Sequence, residues 1–313
     1  MSRSIADVPG LSVGHTTDAD AATGCTVVLG PAEGMRAAAY VRGRATGTRE
    51  LDALSPQHLV PVIHAILLTG GSAFGLGAAD GVMRWLAARG RGFRVGELVF
   101  PIVPCAVVFD LAQGRSDRWP GPDDGYAACE AAGGEVVEGS VGAGTGATVG
   151  KALGPGRAMK GGVGTWAVTR GAVAVGALAV VNAFGDVRDG AGRIIAGARA
   201  QEGFADARAY LAGGGEATSR FGNTTLVIVG TNAGVDRMAL AEIARSAADA
   251  LAQRITPVGT VYDGDIVFAV STGDEPVGHT MQVELLAQEA TATAIERAVT
   301  QARGRPNVPG LAD

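Results

Sequence analysis

The sequence predicts a layered α+β or α/β body. Three observations predict it: short apolar runs recur along the whole chain, amphipathic helical segments lie among them, and small residues supply much of the bulk. Apolar residues make up 47% of the 313 positions and aromatics only 5%, with 49 glycines. Such a chain can bury a sizeable core whose layers approach closely where Ala and Gly meet. Strands and helices alternate irregularly, so this is not a repeat protein.

In chain order, the expected strands are Cys25–Leu29, Ala37–Val41, Ile63–Leu68, Cys105–Leu111, Val173–Val181, Thr224–Gly230 and Ile266–Val270. Several lack strict polar alternation, which argues that both faces are covered. Helices are expected at Ala73–Arg89, Asp236–Arg254 and Val283–Arg303. The second is the clearest. Leu240, Ile243, Ala244, Ala247 and Leu251 share one face, with Glu242, Arg245 and Asp249 on the other. Gly185–Gly222 is irregular and Gly-rich, with a short helix expected at Arg199–Leu211. Its last dozen residues read as a flexible, solvent-reachable lead-in to Asn223.

Composition narrows the function. The 26 basic and 31 acidic residues give a net charge of −5, and no basic block supports a nucleic-acid role. Cys25, Cys105 and Cys129 match no disulfide or metal spacing and suit a reducing interior. No leader or membrane-spanning run is evident, so a soluble cytoplasmic protein is expected. His15, His58, His64 and His279 are scattered and form no Ser/His/Asp or zinc motif. No metal and no cofactor are expected.

The chemistry concentrates at Gly222-Asn223-Thr224-Thr225, which stands before the apolar run Leu226–Val229. Asn is a good turn residue and Thr a good strand residue, so the pair alone is unremarkable. Yet a Thr hydroxyl beside a preceding carbonyl can attack it through an N-to-O acyl shift. Hydrolysis of that ester frees an α-amine with a reference pKa of about 7.7–8.0. One residue then carries both nucleophile and base, with no histidine required.

Downstream, Asp263-Gly264-Asp265 precedes the run Ile266–Val270. Its carboxylates can point the same way if Gly264 takes an unusual backbone angle, one holding the Thr224 hydroxyl or amine and the other orienting the first. The triplet is also good turn chemistry, and the further ligands of a calcium loop do not follow. Gly142–Lys151 lacks the residues of a phosphate loop, and Gly75–Asp80 lacks the third Gly of a dinucleotide fingerprint. Both read as close backbone approaches between layers. Lys151 can stabilise an anion or lower the pKa of an amine, and Asn182 can donate its side-chain amide to an oxyanion.

Together these segments resemble the DmpA-like L-aminopeptidase/D-esterase family, which includes the nylon-oligomer hydrolases. The likeness runs from Val8–His15 through Leu68–Leu76, Pro101–Pro104, Gly142–Ala147, Lys160–Gly164 and Ala179–Ala183 to Asn223-Thr224 and Asp263–Asp265. It implies a four-layer αββα sandwich resembling N-terminal-nucleophile hydrolases. It also implies one hydrolase domain cut into chains 1–223 and 224–313 that stay associated, commonly as a tetramer of such pairs. The family nucleophile falls on Thr224, its oxyanion-stabilising Asn on Asn182, and its carboxylates on Asp263 and Asp265. The site lysine falls on Lys151, with Lys160 as a rival. The Asn-Thr cut and the Asp pair look like the nylon-hydrolase branch, except that Phe109 stands where that branch has a Tyr.

The leading expectation is therefore an autoprocessed N-terminal-threonine hydrolase of amide bonds, acting on small peptides, amino-acid amides or ω-amino-acid oligomers. An acyltransferase of the ornithine acetyltransferase type would hand the acyl group to an amine in place of water. A non-cleaving ligand-binding homologue would remain one intact chain.

Overall fold

Period-two alternation within the strands dictates how the layers stack. The structure, a computed structural model, describes residues 3–218 and 221–313. One five-stranded sheet has the order Ser12–Asp18, Thr23–Leu29, Ala65–Thr69, Cys105–Val107, Thr48–Arg49. The other has the order Gly162–Arg170, Val173–Asn182, Thr224–Ala233, Ile266–Glu275, Arg36–Val41.

In the first sheet Val27, Leu29 and Leu67 pack with Ala79, Val82 and Ala128 of the helices Ala78–Ala87 and Pro122–Glu130. In the second, Val227, Val229, Val267 and Ala269 pack with the helices Arg237–Arg254 and Thr280–Thr300. Residues of the opposite parity, Val28, Ile66 and Leu68 against Leu178, Leu226, Ile228 and Phe268, fill the space between the sheets. The arrangement is the expected αββα sandwich. Strands buried on both faces read as continuous apolar runs, which is why alternation was weak in the sequence.

Element boundaries moved where local chemistry differs from pattern. Strand Thr224–Ala233 outlasts the expected Gly230, and Ile266–Glu275 outlasts Val270. Cys105–Val107 stops well short of Leu111. Strands Ser12–Asp18 and Gly162–Arg170 and the helix Pro122–Glu130 were not foreseen. The helix Arg237–Arg254 begins as expected, its N-terminus capped by the Asp236 carboxylate accepting from the Ala239 N–H. The helix expected at Arg199–Leu211 is only Ala207–Ala212, because Arg199 instead bridges to Phe204.

The glycine-rich loops also divide. A Cβ at Gly144 would lie 2.5 Å from the Val163 nitrogen and one at Gly150 2.1 Å from the Ala198 nitrogen, so the close-approach reading of that run holds. In Gly75–Asp80 the reading holds at Gly75, where a Cβ would lie 1.9 Å from the Gly70 carbonyl oxygen, and fails at Gly77, where nothing lies within 4 Å.

Candidate active site

Thr224 opens the third strand of the second sheet. It lies opposite Asn182 at the end of the antiparallel ladder, while Leu226 is in register with Ile266 on the parallel side. By period two, Thr224 shares the parity of Leu226 and Ile228 and points between the sheets, whereas Thr225 turns toward the helical layer. Thr224 is 5% exposed.

The carbonyl of Asn223 is held from two directions. The Thr224 hydroxyl donates to it at 2.6 Å and the Gly264 backbone N–H at 2.8 Å. Gly264 reaches it because Asn223 and Asp263 form a parallel bridge. A Cβ on Gly264 would sit 2.8 Å from the Thr224 Oγ1 and 2.6 Å from the Ala45 carbonyl oxygen. This glycine is demanded by close approach. Its φ is not left-handed, so the unusual angle expected of it is absent.

The preceding carbonyl, that of Gly222, accepts from Lys151 Nζ at 2.7 Å and from Asn182 Nδ2 at 3.0 Å. Lys151 also donates to the Asn182 carbonyl and to its Oδ1, at 2.9 and 2.8 Å. The Thr148 N–H completes the clamp by donating to Asn182 Oδ1 at 3.0 Å. Gly150 packs against the Gly197 backbone and launches Lys151 into this position from a left-handed φ of 71°. Burial pushes the Lys151 ammonium down to about 7, against the opposing pull of Asp263 and Asp265.

In the continuous chain, then, the Asn182 amide donates to the Gly222 and Phe109 carbonyls and not to that of Asn223. The carboxylates differ from expectation. Asp265 accepts from the Thr225 N–H at 2.7 Å and the Gly259 N–H at 3.0 Å, fixing the backbone that follows Thr224. Asp263 accepts from the Thr260 N–H and hydroxyl at 2.8 and 2.7 Å. Among the described residues, the Thr224 hydroxyl is bonded to Asn223 and to neither carboxylate. Burial raises both acids, and the nearby Asp263 charge adds to the rise of Asp265, which reaches about 7.

Phe109 is 41% exposed, its carbonyl accepts from Asn182 Nδ2 at 3.3 Å, and its ring lies beside Gly222. Lys160 is elsewhere. Its Nζ donates to the carbonyls of Gly144, Ala147 and Gly161, so of the two lysines only Lys151 reaches the junction. The lead-in is less free than expected. The Thr218 N–H is bonded to the Ala152 carbonyl at 3.0 Å, and Gly222 is clamped; Ser219 and Arg220 lie outside the described residues. Sequence reasoning missed the donors Gly264 and Thr148 and the turn residues Gly259 and Thr260. A backbone N–H leaves no signature in residue type.

Residues 3–305 match peptidase family S58. The chain belongs to that family. As a member of peptidase family S58 it is a hydrolase of amide bonds. It is 45% identical over 289 residues to an uncharacterized aminopeptidase of Mycobacterium tuberculosis (strain ATCC 25618 / H37Rv), covering 86% of this chain and 81% of the relative. It is 34% identical over 282 residues to a 6-aminohexanoate-oligomer endohydrolase of Kocuria sp. (strain KY2), covering 86% and 74%. The L-aminopeptidase D-Ala-esterase/amidase of Ochrobactrum anthropi, described as a variant of the Ntn hydrolase fold, superposes with a TM-score of 0.76 at 21% identity. That superposition covers 99% of this chain and 91% of that one. A β-aminopeptidase of Burkholderia sp. gives 0.71 at 22% identity, covering 100% and 89%. These two solved structures thus carry the same fold as this chain. No helix among the described residues is long and apolar enough to cross a membrane.

Proposed function

We propose that this S58 protein cuts its own chain between Asn223 and Thr224 and then hydrolyses amide bonds of small substrates through an acyl-Thr224 intermediate. One observation carries the reading. The Asn223 carbonyl is held between the Thr224 hydroxyl at 2.6 Å and a backbone N–H donor at 2.8 Å, an arrangement a mere strand entrance does not need.

In the first step the Thr224 Oγ bonds to the Asn223 carbonyl carbon, and the Gly264 N–H takes the negative charge growing on oxygen. Breaking the C–N bond moves the acyl group to Oγ, and the hydroxyl proton ends on the released nitrogen. Water then hydrolyses the ester, leaving a carboxylate on Asn223 and an amine on Thr224. That amine, with a reference pKa of about 7.7–8.0, accepts the hydroxyl proton when Thr224 attacks a substrate carbonyl. The substrate C–N bond then breaks as the α-ammonium returns that proton to the departing amine, and water hydrolyses the acyl-enzyme to free the acid and restore Thr224. Asp265 acts as a positioning residue through the Thr225 N–H, and Asp263 steadies the turn that presents Gly264.

The test is denaturing electrophoresis with intact mass measurement. Wild-type protein should resolve into fragments 1–223 and 224–313, and Thr224→Ala should stay whole and inactive. Active wild-type protein found uncut at this bond would sink the proposal.

A further inference from the structure

We propose that the cleft between Lys160 and Arg305 is a second ligand site, one that binds a small oxyanion, either phosphate or a short carboxylate. It shares no residue with the Thr224 junction and stands whether or not the chain is cut. Lys160 is the buried cation that the junction does not engage. Its Nζ donates to the Gly144, Ala147 and Gly161 carbonyls at 2.9, 2.8 and 3.0 Å. A neutral amine has only two protons to give, so three acceptors fit the ammonium form. All three acceptors are uncharged, and Lys160 is 1% exposed. A charge buried so deeply is costly until an opposite charge comes near it.

Arg305 brings another cation to the same cleft. It sits in a tight turn, where Arg305 and Val308 exchange backbone hydrogen bonds at 2.8 and 2.9 Å. The Lys160 N–H fastens that turn by donating to the Pro309 carbonyl at 2.9 Å. Among the described residues neither Lys160 nor Arg305 forms an ion pair. Burial and the Arg305 charge push the Lys160 ammonium down to about 7, against the pull of Asp110. Asp110 stays behind the wall of the cleft at Gly146, where a Cβ would lie 2.5 Å from that of Asp110.

Size and donor chemistry define the ligand. The cleft has a volume of about 170 Å³ and is lined by Gln113 as well as by the two cations. That is below the roughly 300–1,000 Å³ of pockets that hold drug-sized ligands. Gln113 is set in place by its N–H, which donates to the Asp110 carbonyl at 2.8 Å. The Arg305 guanidinium supplies a fork of N–H donors and the Gln113 amide one more, a set that matches the oxygens of phosphate or carboxylate. Lys160 supplies charge alone, because the carbonyls engage its protons. A cationic ligand would meet two like charges. Lys160 and Gln113 lie in 1–223 and Arg305 in 224–313, so a bound anion also fastens one part of the chain to the other.

Thermal unfolding of the full-length protein reads the site, with sodium phosphate titrated against sodium chloride of equal ionic strength at pH 7. Phosphate is expected to raise Tm saturably, by roughly 2–4 °C at about ten times its half-saturating concentration. Arg305→Ala should move half-saturation up by roughly tenfold or more, the loss typical of a hydrogen bond to a charged group. Gln113→Ala should move it in the same direction, and it supplies the comparison should Arg305→Ala not fold. Sodium acetate separates the two sources: half-saturation below that of phosphate assigns the cleft to a carboxylate, and the reverse order assigns it to phosphate. Salts excluded from protein surfaces stabilise any fold without saturating. A rise that does not saturate, or one equal in the wild type and both variants, would overturn the proposal.

Discussion

Gly264 combines two properties that no other residue type supplies together. It donates a backbone N–H to the Asn223 carbonyl, and its missing side chain leaves room for the Thr224 hydroxyl. Gly264→Ala would push a methyl group to within 2.8 Å of Oγ1 and 2.6 Å of the Ala45 carbonyl, closer than real contacts allow. Something must shift, and a donor moved by a fraction of an ångström loses much of its effect on a developing oxyanion. Self-cleavage of the variant, followed by electrophoresis over time, should slow by roughly 10²-fold, the loss typical of removing one such donor. Far-UV circular dichroism should remain that of the wild type. Asp265 gives a second test, through pH. Burial and the neighbouring Asp263 raise its pKa to about 7, whereas an unfolded Asp titrates near 3.9. Between those values the folded state holds the proton more tightly than the unfolded state, so stability falls as pH rises from about 4 to about 7. Asp265→Asn removes that titration. Thermal unfolding at pH 5, 6 and 7 should show the wild type losing stability relative to the variant as pH rises; a constant difference would place the Asp265 titration elsewhere.

At the scale of the element, the strand Thr224–Ala233 converts sequence position into chemistry. Antiparallel register places Thr224 opposite Asn182, and parallel register with Ile266–Glu275 brings the Asp263–Asp265 turn beside Asn223. Leu226 and Ile228 fix that register because a slip by one residue would carry them from the inter-sheet core to the helical face. Ile228→Ala should therefore cost about 2–5 kcal/mol in denaturant-induced unfolding, and it should lower the yield of cut protein in proportion to the folded fraction. Much of this was legible in the sequence. Thr224, Asn182, Lys151 and the Asp pair were all expected near one another, and the structure gathers them within hydrogen-bonding networks that touch Gly222 through Thr225. What sequence could not reveal was the partner of each group. Side-chain type identifies Asn182 as a donor, but only the fold shows its amide on Gly222. The roles of Gly264 and Thr148 rest on backbone N–H groups that every non-proline residue possesses. The strand Gly162–Arg170 was hidden for a related reason: Gly162 and Gly164 serve close packing against the helix Thr280–Thr300 and interrupt the apolar run that marks a strand.

Across the whole molecule, the proposed cut divides the chain without dividing the core. Residues 224–313 contribute the strands Thr224–Ala233 and Ile266–Glu275, which lie side by side in the second sheet. Residues 1–223 supply the neighbours on both flanks, Val173–Asn182 on one side and Arg36–Val41 on the other. Leu226, Ile228 and Phe268 interlock with Val28, Ile66 and Leu68 across the sandwich, so the second sheet and the core between the sheets contain both fragments, while the first sheet and its helices come from 1–223 and the helices Arg237–Arg254 and Thr280–Thr300 from 224–313. Separating them would expose two ladders of backbone hydrogen bonds and the apolar surface of two cores, which no solvated fragment could tolerate. Cleavage should thus free a few residues near the new termini and leave the rest in place. The cut protein should run as one species in native gel filtration, both fragments present in equal amounts. In urea it should unfold in a single transition, with fluorescence and circular dichroism coincident. Fragment 224–313 expressed alone should be unfolded, because its two strands would have open edges on both sides. Recovery of that fragment as a stable folded protein would mean that the mixed sheet is not what holds the two parts together.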